Sequence, residues 1–263
     1  MSHLIPAERQ RSILATLAGK EVASIAELTE LLGVSHMTVR RDIQHLEQEG
    51  RVIQVSGGAR LPERLVSEFS HKRKMSMQAR EKQAIAQMAA EIVPPHATIY
   101  LDAGTTCLAL ARALAPRNDI VVVTNDFAVC AYLMENSSCI LYHTGGRVLR
   151  ENESCVGESA AQFFRSVNID IAFLSASSWD SRYISTPSEA KVPVKRAVVS
   201  AAARRILVCD SAKYGKVGFF NALPLSDVDT IITDRGLDPN VRAALTQAGT
   251  DVLIAAMGRK TAQ

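Results

Sequence analysis

The stretch Ser35-His-Met-Thr-Val-Arg-Arg-Asp-Ile43, extended to about Gln48, predicts an amphipathic helix with a basic outer face. Val39, Ile43 and Leu46 recur at i, i+4 and i+7, which places them on one buried face. The opposite face is mostly polar and carries Met37, Arg41, Gln44 and Gln48, flanked by His36, Arg40 and His45.

The residues before this helix predict two further helices and a tight turn. Ser24 and Glu27 form the S-x-x-E pattern of a capping box, in which each side chain binds the other's free backbone N–H. Apolar residues follow at helical spacing over 25–32, and only residues 33–35 precede the next helix, with serine as its N-cap. Pro6 suits a first helical position, so we expect an earlier helix to begin there.

The stretch Arg51-Val-Ile-Gln-Val-Ser-Gly-Gly-Ala-Arg60 predicts a short hairpin, because β-branched residues precede a Gly-Gly turn. In this order the elements predict a winged helix-turn-helix domain, an α+β unit over residues 1–60 that binds double-stranded DNA. Adjacent arginines alone are more typical of a solvated helix face, so the order of the elements carries the interpretation. Asp42, at the edge of the buried face, is expected to be structural and to orient an arginine. The candidate DNA contacts are Ser35, His36, Thr38, Arg40, Arg41, Gln44 and Arg60.

Length and composition allow a second, larger domain, since the chain has 263 residues and 47% of them are hydrophobic. The net charge is +3, and residues 1–80 hold 12 Lys/Arg against 9 Asp/Glu, so the surplus lies where a polyanion is expected. The five cysteines form no zinc-type pair or cluster, and we expect free thiols, no metal and no cofactor. Neither a signal peptide nor an apolar membrane span is visible, which predicts a cytoplasmic protein without a membrane partner.

Residues 61–78 have no clean periodicity and are predicted to form a linker. Their basic run, His71-Lys-Arg-Lys74, lies beside Glu63 and Glu68. A solvated connector is the favoured interpretation, and an auxiliary contact with DNA phosphates is the alternative. An alanine-rich helix then opens the larger domain, residues 79–263.

Short apolar stretches alternate with helical ones in this larger domain, which predicts an α/β fold with a mainly parallel sheet covered by helices. Ligands of such sheets bind beyond the carboxyl ends of the strands. The predicted strands are 98–101, 120–123, 139–142, 169–176, 206–209, 230–233 and 252–255.

Small, hydroxyl-bearing or cationic residues follow four of these strands. Asp102-Ala-Gly-Thr-Thr106 opens a helix, where free N–H groups and the helix dipole favour an anion. Its glycine spacing excludes a Walker A loop and a dinucleotide fingerprint. The other three loops are Thr124-Asn125, Thr144-Gly-Gly146-Arg147 and Asp210-Ser-Ala-Lys213-Tyr-Gly215. Such turns also serve backbone needs, but four together predict a pocket for a phosphorylated, hydroxyl-rich ligand.

These motifs together resemble the DeoR family of bacterial repressors over nearly the whole chain. The string S-x-x-T-V-R-R-D-I carries the resemblance first, followed by D-x-G-T-T, T-N, G-G, V-x-V-K-R-A and D-S-x-K-Y-G. The resemblance implies that Arg40 and Arg41 contact DNA, while Ser35 and Thr38 fix the helix on the DNA backbone. It also implies a sensor domain related in fold to ribose-5-phosphate isomerase and glucosamine-6-phosphate deaminase. The residues that it assigns to the effector site are Asp102, Gly104, Thr105, Thr106, Thr124, Asn125, Gly145, Gly146, Lys195 and Lys213.

The function implied is that of a repressor of a carbohydrate or sugar-acid catabolic operon, relieved by a phosphorylated sugar or sugar acid. Helix-turn-helix proteins generally bind paired half-sites, so we expect a homo-oligomer, a dimer or tetramer. The alternative is a sugar-phosphate isomerase or deaminase with a DNA tether, with Asp102, Glu189 and Lys195 as acid–base groups. The displaced position of Glu189 argues against an enzyme.

Two positions depart from the family pattern. The run Ser175-Ala-Ser-Ser178 stands where the family often has a glycine-containing turn. Lys191 stands where the family usually has a glutamate, and Glu189 lies two residues away. A lysine makes this corner of the pocket more positive, which predicts an effector with a second anionic group, such as the carboxylate of a phosphorylated sugar acid.

Overall fold

The N-terminal part of the chain folds as three helices and a small sheet in this computed structural model, which describes residues 4–256. The sheet is antiparallel in the order β1-β3-β2, so the predicted hairpin is present and gains a third strand. The winged helix-turn-helix prediction is confirmed. Its elements are α1 (Pro6–Ala18), β1 (Ala23–Ser24), α2 (Ile25–Leu32), α3 (His36–Gln48), β2 (Ile53–Val55) and β3 (Gly58–Arg60).

Side-chain caps fix the ends of α2. The Ser24 hydroxyl accepts a hydrogen bond from the Glu27 N–H at 3.1 Å, and Gly33 closes the helix with φ = 62°. The reciprocal half of the predicted capping box does not form, because the Glu27 carboxylate pairs with Lys20 instead. An ammonium group within reach is a stronger partner for a carboxylate than a backbone amide is.

An ion pair ties the first helix to the third. The Arg9 guanidinium donates to both carboxylate oxygens of Asp42, at 2.7 and 3.2 Å. Asp42 is 4% exposed and therefore structural, as the sequence predicts, and the arginine that it orients is on α1. The apolar residues that fill the space between the helices include Ile13, Leu17, Leu28, Val39, Ile43 and Leu46.

The segment predicted as a linker is built into the structure. It contains β4 (Glu63–Leu65) and α4 (His71–Ser76), and β4 pairs in parallel with residues 216–218 of the larger domain. His71 is 6% exposed, and the Lys74 ammonium donates to the side chain of Asn152 at 2.7 Å. The solvated-connector interpretation is therefore wrong for these two side chains. The segment docks through backbone pairing and polar contacts, so it shows no apolar periodicity.

The larger domain continues with strands and helices in alternation. They are α5 (Ala79–Glu91), β5 (Thr98–Leu101), α6 (Thr105–Leu114), β6 (Val121–Thr124), α7 (Phe127–Asn136), β7 (Ile140–His143), β8 (Arg147–Leu149), β9 (Ser154–Val156), α8 (Glu158–Gln162), β10 (Ile169–Leu174), β11 (Ser178–Trp179), β12 (Tyr183–Thr186), α9 (Val192–Ala201), β13 (Ala202–Val208), β14 (Lys216–Gly218), β15 (Phe220–Pro224), β16 (Thr230–Asp234), α10 (Pro239–Gln247) and β17 (Asp251–Ala255).

Seven of these strands form one sheet in the order β17-β16-β13-β10-β5-β6-β7. Every neighbouring pair is parallel, and all seven predicted strands are in it. Alternate residues of β10 face opposite sides: Phe173 joins the apolar cluster under α5, α6 and α7, while Leu174 joins the cluster under α8, α9 and α10. The predicted α/β fold, a sheet covered by helices, is confirmed.

The strand order reverses between β5 and β10. From β5 the chain runs outward through β6 and β7, and from β10 it runs outward through β13, β16 and β17. The loops after these two central strands therefore diverge to opposite sides and open a crevice at the carboxyl edge. Asp102 and Ser175 follow the two strands and lie at this switch point.

The DNA-binding domain packs directly on the larger domain. Ile53 of β2 is 2% exposed and belongs to the same buried cluster as Trp179 and Tyr214. A side chain on Gly215, where φ is 76°, would place its Cβ 2.9 Å from Ile53. The Tyr214 hydroxyl lies 3.4 Å from the Glu47 carboxylate, and burial raises the pKa of Glu47 above its usual value.

Candidate functional site

Helix α3 presents an exposed polar face on the N-terminal domain. The predicted contacts His36, Arg40, Arg41 and Gln44 are all exposed on it. The carboxylate of Asp42 is already paired with Arg9, so it does not neutralise either arginine of α3. This face keeps its positive charge and its hydrogen-bond donors available for an anion such as DNA.

Ser35 and Thr38 have a structural task at the start of α3. The Ser35 hydroxyl accepts from the Thr38 N–H at 3.2 Å, and the two hydroxyl oxygens are 3.0 Å apart. This cap fixes the end of the helix that enters a groove first in helix-turn-helix proteins.

Arg60 lies on the side of the wing that faces the larger domain. Its guanidinium donates to the Tyr214 carbonyl at 3.2 Å and to the Leu61 carbonyl at 3.3 Å. These two bonds direct the side chain toward the larger domain, and the predicted contact with a phosphate or the minor groove would use its remaining N–H groups.

A cavity opens at the switch point of the large sheet. Asp102, Gly104, Thr105, Thr106, Asn125, Lys195 and Lys213, all predicted from the sequence, line it. Other polar residues that line it are Glu68, Lys74, Ser154, Ser175, Ser177 and Lys191. The structure therefore brings together seven of the ten predicted residues.

Asp102 is the hub of this cavity. One carboxylate oxygen accepts from the N–H of Ser175 at 2.8 Å and from the Lys195 ammonium, and the other accepts from the N–H of Ala103 at 2.8 Å. The Lys195 ammonium also donates to the Ser175 carbonyl at 2.6 Å. Ser175, the first residue of the atypical turn, thus holds Asp102 against β10. The two charges are fixed in place and buried together.

Gly104 lets the chain turn from β5 into α6. Its φ is 153°, and a Cβ there would lie 3.1 Å from the Ser175 hydroxyl. Helix α6 begins at Thr105, so the amides of its first turn have no acceptor within the helix. The hydroxyls of Thr105 and Thr106 line the cavity beside them. Amides, hydroxyls and the positive end of the helix dipole can together hold an anion, and the Asp126 carboxylate already accepts from the Gly104 N–H at 2.9 Å.

Asn125 is positioned by its neighbours. Its side-chain oxygen accepts from the Tyr100 hydroxyl at 2.8 Å, and its amide nitrogen donates to the Cys155 carbonyl at 2.8 Å. Burial, with the nearby Asp102, raises the pKa of Tyr100 well above its usual value, so the hydroxyl stays a donor.

Three predicted effector residues serve the backbone instead of lining the cavity. Thr124 is fully buried, and its hydroxyl donates to the Leu101 carbonyl at 2.7 Å, which ties β6 to β5. Gly145 and Gly146 adopt positive φ angles of 66° and 117° in the turn after β7. A Cβ on Gly146 would lie 2.8 Å from that of Ala160, so this glycine lets the turn pack on α8.

Glu68 and Lys74 are the cavity residues that sequence reasoning missed. Both come from the segment between the domains. The Glu68 carboxylate accepts from Lys74 of the same segment at 3.0 Å and from Lys191 of the larger domain at 2.6 Å. The charge alternation of that segment was visible, but no local pattern indicates a partner 123 positions away. Lys191, which departs from the family pattern, does lie in the cavity.

The cavity is rich in positive charge, with four lysines and two carboxylates among its lining residues. Burial lowers the pKa of Lys191 to about 8. Burial also opposes ionisation of Glu68, but Lys191 and Lys74 outweigh it and hold the pKa of that carboxyl well below its usual range. Lys191 therefore loses its charge at a lower pH than an ordinary lysine does.

Of the three residues invoked for enzyme chemistry, Asp102 and Lys195 pair in the cavity, but Glu189 does not join them. Glu189 is exposed and is not part of the cavity wall, and both oxygens of Asp102 are engaged by donors. A general base needs a free carboxylate aimed at the reacting carbon. Within residues 4–256 there is neither a cluster of metal-ligating side chains nor a helix able to cross a membrane.

Comparison with known proteins finds matches to both domains of the chain. A DeoR-like helix-turn-helix domain matches residues 9–64, and a DeoR C-terminal sensor domain matches residues 77–235. The chain is 53% identical over 252 residues to the uncharacterized HTH-type transcriptional regulator YgbI of Escherichia coli, covering 96% of this chain and 99% of that protein. It is 30% identical over 240 residues to the glycerol-3-phosphate regulon repressor of the same bacterium, covering 91% of this chain and 95% of that one.

The sequence identity to solved structures is lower than that to these regulators. Ribose 5-phosphate isomerase A of Neisseria gonorrhoeae aligns with a TM-score of 0.38 and 14% identity, over 51% of this chain and 52% of that one. The sequence matches span both domains and name regulators rather than enzymes. The chain therefore belongs to the DeoR family of DNA-binding transcriptional regulators.

Proposed function

We propose that this protein represses a carbohydrate or sugar-acid catabolic operon, and that a phosphorylated sugar or sugar acid bound in the cavity lowers its affinity for operator DNA. The observation that carries the proposal is the anion site at the start of α6, placed at the switch point of the sheet and surrounded by lysines. Ligands of open α/β sheets bind at this position. One relative is named a repressor of the glycerol-3-phosphate regulon, which supports repression as the mode of action.

The phosphate of the effector binds at the start of α6. There it meets free backbone amides together with the hydroxyls of Thr105 and Thr106. Lys213 lies on the loop after β13; its ammonium donates to the Ala176 carbonyl at 2.9 Å, lies 3.5 Å from the Asp210 carboxylate and keeps a third N–H for the effector.

A second anionic group of the effector binds at the opposite wall, which Lys74 and Lys191 make positive. Helix α9 begins next to Lys191, and its dipole adds to the attraction for an anion. A carboxylate suits this wall, so we favour a phosphorylated sugar acid over a neutral sugar phosphate. The hydroxyls of the ligand between its two charged ends meet Asn125, Ser154 and Ser177.

The regulator acts as a homo-oligomer, a dimer or tetramer, on paired half-sites of double-stranded DNA. Large apolar side chains that remain exposed at the β7 edge of the sheet support this proposal. They include Phe127, Met134, Ile140, Tyr142 and Val148. Light scattering of the purified protein would give its mass, and a monomer would contradict this part of the proposal.

A titration of operator DNA tests the proposed function. Operator fragments are selected from genomic DNA by binding, and their affinity is measured by fluorescence anisotropy with and without two matched ligand pairs. The pairs are erythrose 4-phosphate with 4-phosphoerythronate, and glucose 6-phosphate with 6-phosphogluconate. We expect at least one phosphorylated compound to weaken operator binding by about tenfold, a typical allosteric coupling. If none alters operator affinity, and none raises the melting temperature of the protein, the proposed effector class is wrong.

The affinity for a phosphorylated sugar acid should depend on pH through Lys191. The ammonium faces Glu68, Lys74 and Lys195, and its pKa is about 8, so it is charged at pH 7 and loses its charge as the pH rises through 8. We expect the affinity for 6-phosphogluconate to be constant near pH 7 and to fall about tenfold by pH 9, measured by calorimetry. The phosphate has a second pKa of about 6, so it is mostly dianionic at pH 7 and its charge changes little above that.

Two comparisons control this measurement. Glucose 6-phosphate lacks the carboxylate, so its affinity should change little over the same range. The variant Lys191→Met should bind 6-phosphogluconate weakly and with no fall above pH 7. A fall that persists in this variant would assign the titration to another group, such as Lys82, whose pKa burial also lowers to about 8.

A further inference from the structure

The carboxylate of Glu68 is enclosed by donors in the effector cavity. Its side chain is 6% exposed and accepts from Lys191 at 2.6 Å, from Lys74 at 3.0 Å, from Thr186 at 3.1 Å and from the Ser177 hydroxyl. Two cations and two hydroxyls around one carboxylate are more than an ion pair needs. Together they form a complete binding site for a carboxylate.

Most of the donors around Glu68 come from a different part of the chain than Glu68 itself. Three of the four donors, Lys191, Ser177 and Thr186, belong to the larger domain. Glu68 comes from the segment between the domains, 123 positions from Lys191, and so does the fourth donor, Lys74. The same lysine and serine line the effector cavity. The Glu68 carboxylate thus occupies the part of the cavity that we assign to the second anionic group of the effector.

We propose that Glu68 is an internal competitor of the effector: it occupies the carboxylate subsite in the DNA-competent state, and the carboxylate of the effector displaces it. This inference rests on the proposed function, because it needs an effector that binds in this cavity. Two carboxylates within the same few ångströms repel each other, so the two occupants exclude one another.

Displacement of Glu68 loosens the segment that carries it. Besides Glu68, the segment is held by the parallel pairing of β4 with β14 over three residue pairs, by the ion pair of Glu63 with Lys216 and by the bond of Lys74 to Asn152. The Lys82 ammonium also donates to the carbonyls of Lys74 and Met77, and His71 lies 3.4 Å from the Glu153 carboxylate. Only residues 61 and 62 separate β4 from the wing strand β3. Release of Glu68 therefore weakens the attachment of the DNA-binding domain next to its wing. Binding of the effector and docking of this segment oppose each other, and the coupling is reciprocal.

Hydrogen–deuterium exchange on the full-length wild-type protein tests the displacement without any substitution. We expect 6-phosphogluconate or 4-phosphoerythronate to speed exchange of the amides in residues 63–70 by about tenfold, while the rest of the sheet is unchanged or slower; α4 carries Lys74, which binds the carboxylate of the effector, so its exchange should not rise. The matched sugar phosphates leave the carboxylate subsite to Glu68, so they should not speed exchange there. Unchanged or slower exchange of residues 63–70 at saturating sugar-acid phosphate would overturn the proposal.

The variant Glu68→Gln tests the competition. The amide keeps the shape and the bonds to the hydroxyls but removes the charge held by Lys191 and Lys74. Calorimetry should show about tenfold tighter binding of the sugar-acid phosphate and less than about twofold change for the matched sugar phosphate. Operator affinity without effector should fall severalfold, because the docked segment is weakened.

The variant Glu63→Gln is the matched control. It makes the same change of charge in the same segment, but Glu63 pairs with Lys216 at the surface, where its side chain is 56% exposed. It should behave like the wild type. If Glu68→Gln tightens both members of a pair equally, the effect is one of general charge and the competition is refuted.

The outcomes separate this proposal from the proposed function. If no phosphorylated compound binds the wild type, the effector class itself has failed. If a sugar-acid phosphate binds and releases operator DNA, but Glu68→Gln binds it no more tightly than the wild type does, the function stands and the internal competition is excluded.

Discussion

Replacing Arg41 with alanine is expected to weaken operator binding by roughly tenfold to 100-fold, a loss of about 1–3 kcal/mol, while effector binding stays unchanged. The side chain is exposed on α3, and the nearby carboxylate of Asp42 is committed to Arg9. Its planar fork can engage a guanine edge or a phosphate through two hydrogen bonds. Fluorescence anisotropy with operator and scrambled DNA measures both affinity and discrimination.

Two further variants make the result specific. Arg41→Lys keeps the charge but not the fork, so it should retain binding to scrambled DNA and lose preference for the operator. Arg165→Ala removes one positive charge from the surface of the larger domain, where Arg165 pairs with Glu158, and should bind the operator like the wild type. An Arg41→Ala protein with wild-type operator affinity would show that α3 is not the recognition helix.

Replacing Asp102 with alanine is expected to lower the free energy of unfolding of the larger domain by about 3–5 kcal/mol. Lys195, whose side chain is 7% exposed, would be left as a buried ammonium without its counter-charge. The N–H groups of Ser175 and Ala103 would also lose their acceptor. Guanidinium denaturation followed by circular dichroism measures the loss, with identical buffer and protein concentration for each variant.

A surface ion pair provides the comparison for this stability measurement. Asp229 pairs with Arg205 at 2.7 Å, and its side chain is 39% exposed. Asp229→Ala should cost little, since exposed pairs contribute about 0–1 kcal/mol. Equal losses for the two variants would mean that Asp102 and Lys195 are not a buried, mutually dependent pair.

Local signals predicted most of the fold. Apolar periodicity and serine caps were sufficient for α2 and α3, and runs of β-branched residues were sufficient for all seven strands of the large sheet. The bounds were less predictable: β13 begins at Ala202, four residues before its apolar part, because Arg204 and Arg205 pair with β10 as strand residues all the same. Backbone pairing does not require an apolar side chain at the open end of a strand.

The site was predictable where one loop makes it and not where distant segments meet. One loop contains Asp102, Gly104, Thr105 and Thr106, so the sequence motif was enough to predict their chemistry. The glycines after β7 look alike in sequence, yet Gly146 serves packing against α8. Glu68 reaches the cavity only in the folded chain, and the residues next to it in the sequence do not predict its burial.

The contact of Ile53 with the larger domain has a consequence for how the molecule comes apart. Truncation after residue 60 would follow the domain boundary predicted from the sequence. It would, however, expose Ile53, which is 2% exposed in the whole protein. It would also strip Glu47 of the Tyr214 hydroxyl beside it. Ile53 of the DNA-binding domain is part of the apolar core of the larger domain, so heat or denaturant should melt the two domains together as a single cooperative unit.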